Sequence, residues 1–106
     1  MPGKGALLLV DEIMDLYMRQ TEDFMKAWPQ FLKRSRPLYA KSSGPVTSIE
    51  TYMRSELKTY SEKTLGLLLL HMKAMEAEGL SMVYEIYRYT AKAYGFGSVE
   101  EAAVRQ

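Results

Sequence analysis

A chain of 106 residues has room for one domain. Its 47% hydrophobic and 25% charged residues describe a globular chain and exclude a disordered one. Apolar runs such as Leu67 to Leu70 fall far short of the ~20 residues of a membrane span, so no transmembrane segment is expected. The N-terminus runs from a lysine into Ala6–Val10, but about five apolar residues ending at Asp11 are too few for a signal sequence. With no cysteine, disulfides, thiol catalysis and thiolate metal sites are excluded, and an intracellular, cytoplasmic location fits. Asparagine is also missing, a depletion that points towards a thermophilic source.

The net charge of +1 conceals a segregated distribution. Residues 1–23 carry five acids against Lys4 and Arg19, whereas residues 24–49 carry no acid and five bases. Positive charge is therefore gathered near the middle of the chain.

The first periodic segment spans about Ala6 to Ala27. Val10, Ile13, Met14, Tyr17, Phe24 and Trp28 follow the three-and-four spacing of one helical face. Asp11, Glu12 and Asp15 are read as early-turn acids complementing the helix dipole. Pro29 breaks the ladder near Trp28 and opens one further turn to about Arg34. From Ser35 to Val46, Pro37, Pro45, Gly44 and the Ser42–Ser43 pair describe a loop.

Thr47-Ser48-Ile49-Glu50 has the form of a capping box. The helix it opens is expected to run through Ile49, Met53, Leu57, Tyr60, Thr64, Leu68, His71 and Met75 to an αL cap at Gly79. From Thr47 to Glu78 it would be ~48 Å long, longer than the roughly 35 Å diameter of a compact globule of this size. Its middle, Leu65 to Met72, is apolar around most of its circumference, so it calls for neighbours on more than one side. Self-association follows, unless a break at Gly66 folds the chain back on itself. A further helix is expected over Ser81 to Tyr94, stopped by Gly95. A second capping box, Ser98-Val99-Glu100-Glu101, opens a short terminal helix. No stretch alternates as a strand would.

Chemistry-bearing constellations are sparse. His71 is the single histidine and Leu68 stands where a Glu-x-x-His pair would need its acid, so no metal site is expected. The neighbouring Asp11, Glu12 and Asp15 are explained by the dipole. No nucleophile elbow or phosphate loop is present, so no catalytic residue or cofactor is expected. The most suggestive stretch is the basic segment containing Lys33, Arg34, Arg36 and Lys41, with Tyr39 among them. Its cations suit phosphates and its aromatic ring could stack on a base. Tyr84, Tyr87, Tyr89 and Tyr94 crowd the third helix and are candidates for an oligomer interface, where tyrosine is enriched.

The expected fold is an all-α, single-domain helical bundle spanning residues 1–106. It has two long helices and two shorter C-terminal ones, and is completed by homo-oligomerisation. The expected function is that of a non-enzymatic, self-assembling structural or interaction subunit. One alternative is a nucleic-acid-binding coat or packaging protein that uses residues 33–41, located in a virion rather than in a cell. Another is a surface-coating protein with amphipathic helices. The small residues and Glu-Glu-Ala of the 91–106 stretch are loosely similar to those of granule-coating phasins.

Overall fold

Helix α1 covers Lys4–Ala27 and stops at Trp28, because Pro29 has no amide to continue the ladder. Pro29 instead occupies the first position of a one-turn helix α2, Pro29–Leu32. Four more helices follow: α3 over Ile49–Leu57, α4 over Glu62–Ala77, α5 over Met82–Ala93 and α6 over Val99–Val104. The structure, a computed structural model, describes residues 3–33, 36–42, 44 and 46–104, and among these residues there is no strand. No helix among them is long and apolar enough to cross a membrane.

The single long helix expected over Thr47–Glu78 is two helices, α3 and α4. The break lies at Lys58–Ser61, not at Gly66, which sits inside α4. The backbone there closes with tight bonds from Thr59 N to Glu56 O and from Tyr60 N to Leu57 O. Ser61 then restarts the helix as an N-cap, its hydroxyl accepting from Thr64 N at 3.1 Å. The start of α3 also shifts by one residue. Ser48, fully buried, is the N-cap and accepts from Thr51 N, while the Glu50 carboxylate accepts from Ala40 N in the preceding loop. At α6 the box forms with one change: Ser98 Oγ accepts from Glu101 N, and Glu101 reaches back to Gly97 N. Gly79 and Gly95 both take positive φ and close α4 and α5 with paired bonds from the residues beyond the cap.

Helix α1 is the spine. Its buried residues run from Ala6 and Val10 through Ile13, Met14, Leu16 and Met18 to Gln20, Thr21, Phe24 and Met25, an arc of roughly 200° at 100° per residue. Such an arc needs several partners. Helix α3 runs antiparallel beside it, with Arg54 paired to Asp11 at 2.6 Å. Helix α4 then returns parallel to it, with Glu62 beside Gly5, Lys73 paired to Glu12 and Glu76 paired to Arg19. Asp11, Glu12 and Asp15 are thus two turns or more inside a helix that begins at Lys4, too deep for the dipole to act. Asp11 and Glu12 instead pair across to α3 and α4.

Two apolar clusters share the spine. The larger joins Val10, Ile13 and Met14 to Leu57, Leu65, Leu69 and Met72. The smaller joins Phe24 and Met25 to Val83 and Val99, with Trp28, Phe31, Tyr84 and Tyr87 packed around them. Between them lies Gln20, 4% exposed. Its amide nitrogen donates to Glu76 at 3.0 Å, and its amide oxygen accepts from Val83 N at 3.2 Å and Ser81 Oγ at 3.4 Å. One side chain thereby ties the end of α4 to the start of α5 and satisfies an amide that the first turn of α5 would leave orphaned.

Gln20→Leu keeps the volume but strands the buried Val83 amide, so it should lower unfolding free energy by about 2 kcal/mol in chemical denaturation. Hydrogen bonds from Gln20 and then Arg19 also hold the Glu76 carboxyl below its ordinary pKa. A depressed folded-state pKa contributes stability that is complete above the unfolded value and lost as pH falls through the folded one. Glu76→Gln should therefore flatten the acid limb of a plot of stability against pH below about 4.5, while leaving its shape near neutrality unchanged.

Candidate interaction surface

Helix α4 carries two apolar stripes. Leu65, Leu69 and Met72 are buried against α1. Residues 63, 67, 70, 74 and 77 recur at the same four-and-three spacing on the opposite side, and all five are exposed. Leu67 is 59% and Leu70 66% accessible. With Ala74 and Ala77 they form an aliphatic seam with no cover among the described residues. The middle of α4 reads as apolar all round because one face serves the core and the other faces outward.

Helix α5 repeats the arrangement with aromatic residues. Val83 and Ala91 are buried, and Tyr84 and Tyr87 lean inward. Tyr87 stacks on Phe24 at 4.2 Å between centroids and meets Phe31 edge-on at 5.4 Å, while Tyr84 tilts against Phe24 at 6.2 Å. On the outer side Ile86 is 48% and Tyr89 78% exposed, and Tyr94, just past the helix end, is 76% exposed. The four tyrosines grouped by sequence therefore divide. Tyr84 and Tyr87 help hold α5 to the spine, and Tyr89 and Tyr94 face outward.

The molecule that results is a plate. Its principal extents are 44 × 37 × 21 Å and its radius of gyration is 14.8 Å, against about 13 Å for a compact domain of this length. The accessible surface is 6984 Å², which exceeds by roughly 900 Å² the area of about 6,100 Å² normal for a monomer of this mass. A plate about two helices thick leaves the outer faces of its helices uncovered.

The basic segment is drawn into the fold rather than laid over it. Ile49 N donates to Pro37 O and Glu50 N to Leu38 O, fastening the loop to the head of α3. The Arg36 guanidinium lies over the Tyr52 ring at 5.6 Å, with one nitrogen 3.5 Å from Thr47 O. Tyr39 is half-buried against the larger cluster, and burial, followed by its hydrogen bond to Glu22, raises its pKa. Lys33 ends α2 and Lys41 lies in a short turn at Ala40–Ser42; both are exposed. Arg34 lies outside the described residues. Acidic groups, Glu22 and Glu50, stand next to the segment.

A groove of 430 Å³ opens where α1, the end of α4 and the start of α5 meet. Asp23, Glu76 and Glu85 line it together with Trp28 and Tyr84. Glu76 is already paired with Arg19, and Glu85 with Arg88 at 2.7 Å. No group of three acids or histidines among the described residues is placed to hold a metal ion. His71 is exposed on the outer side of α4.

The chain belongs to the DUF4125 family, described as a protein of unknown function, whose model matches residues 2–103. That match takes in the spine, both clusters and both outer stripes. No curated protein and no solved structure matches the chain.

The division of the tyrosines has a direct check. Tyr87→Ala should destabilise the fold by about 3 kcal/mol, through loss of a packed ring. In the dilute, monomeric protein Tyr89→Ala should change it by less than about 0.5 kcal/mol, both read as shifts in denaturation midpoint at constant slope.

Proposed function

We propose that this protein is a non-enzymatic helical subunit that works by assembling, with the outer faces of α4 and α5 as its contact surfaces. The observation that carries this reading is the pair of outward stripes, Leu67 with Leu70 and Ile86 with Tyr89, on helices whose opposite faces are already occupied by the spine. Exposed side chains scattered singly need no explanation, but aligned stripes on two helices do. The excess surface of roughly 900 Å² is on the scale of the ~800 Å² per partner that a stable interface covers. The two stripes also differ in chemistry. That on α4 is aliphatic, whereas Tyr89 on α5 adds a polar tip suited to a wetter contact.

Light scattering after size exclusion, over micromolar to millimolar concentration, tests the reading. A discrete oligomer whose mass is insensitive to salt supports it. A monomer at every concentration overturns it. Adding duplex DNA separates the alternative: mass growth lost at high salt, and lost when Lys33, Arg36 and Lys41 become alanine, would assign nucleic-acid binding to the basic loop instead.

A further inference from the structure

We infer that the outer stripe of α4 is a homotypic seam, and that what covers it is the same stripe of a second copy, running antiparallel. This rests on the assembly reading above and specifies its geometry. Residues 63, 67, 70, 74 and 77 follow the four-and-three spacing that brings two helices into knobs-into-holes contact. The stripe is also complementary to itself when reversed. About a two-fold axis between positions 70 and 71, Leu70 stands level with His71 of the other chain, so the two Leu70 side chains flank the axis, Leu67 faces Ala74 of the other chain, and Lys63 faces Glu78. Large therefore opposes small on either side of the central pair, and a cation opposes an anion at each end. In a parallel pairing Lys63 would face Lys63 and Glu78 would face Glu78, placing like charges together at both ends.

The site is ready to be covered. Lys63, Leu67, Leu70, Ala74 and Glu78 are all exposed, so their side chains are open to a second copy along the whole stripe. Ala74 and Ala77 allow the two backbones to approach closely, and two-fold closure limits the assembly at this face to a pair. The stripe on α5 lacks this symmetry. Its charged neighbours Glu85 and Arg88 already pair with each other at 2.7 Å.

The absence of cysteine makes the geometry directly readable. In the Leu70→Cys variant two thiols would meet across the axis, within reach of a disulfide. Mild oxidation should convert the protein to a covalent dimer in high yield, whereas the exposed control Ser55→Cys, on α3, should remain uncrosslinked. The double variant Leu67→Lys/Leu70→Lys, which alters only exposed positions, should weaken self-association by at least about 30-fold with an unchanged helical circular dichroism spectrum. Lys63→Glu should weaken it several-fold, and Lys63→Glu/Glu78→Lys should restore it. If the wild type is an oligomer but the double leucine variant assembles as well as it does and Leu70→Cys does not crosslink, the seam lies elsewhere and this inference fails alone. A wild type that remains monomeric at millimolar concentration overturns both readings. Association that survives while the charge reversal fails to rescue overturns the antiparallel register.

Discussion

The rest of the structure hangs on the amide of Gln20. A glutamine with 4% of its surface exposed must satisfy both ends of its side chain, and it does so with groups from two different helices. Its nitrogen takes the Glu76 carboxylate at the end of α4, and its oxygen takes Val83 N and the Ser81 hydroxyl at the start of α5. The turn between those helices, with Gly79 in the left-handed region, redirects the chain so that α5 packs on α1 and not along α4. Gln20 fixes where that turn sits on the spine. Both helices consequently pack on α1, one on each cluster.

This arrangement explains the plate. A helix whose buried arc spans roughly 200° can hold several neighbours, and those neighbours are spread along its length, so none is covered on both of its faces. The larger cluster collects α3 and α4 on the first two-thirds of α1, and the smaller collects α2, α5 and α6 on the remainder. Each peripheral helix is covered on one side. For α3 and α6, short and mostly polar outward, that suffices. For α4 and α5 it leaves aligned apolar side chains in water, and that local deficit of cover underlies the proposed assembly.

Charge segregation along the chain has a structural role as well. The acids of α1 meet bases of the helices packed on it, as in Asp11 with Arg54 and Glu12 with Lys73. The basic middle stretch comes to lie near Glu22 and Glu50, with Tyr39 bonded to the former. These pairs are exposed and individually weak. Their contribution is to register, placing the loop and α3 at one height on the spine.

Local chemistry alone is enough to define the helical class, the extent of α1, its stop at Pro29 and the caps at Gly79, Gly95 and Ser98, because caps, prolines and positive-φ glycines act within a few residues. The inward face of α1 is legible for the same reason: Val10, Ile13, Met14 and Phe24 repeat at helical period. The break at Lys58–Ser61 is not, although Ser61 followed by Glu62 is a capping signal. A helix can run through a serine, and only docking both α3 and α4 on α1 makes the reversal worth its lost hydrogen bonds. That break resets the helical phase, so the buried face of α4 is Leu65, Leu69 and Met72, with Leu68 packed at its edge and His71 turned outward. The same dependence on tertiary contacts separates Tyr84 and Tyr87, held by the Phe24 ring, from Tyr89 and Tyr94 in solvent. Periodicity identifies apolar faces, but which of two faces meets the core depends on where the neighbouring helix stands, and that is a property of the folded chain alone.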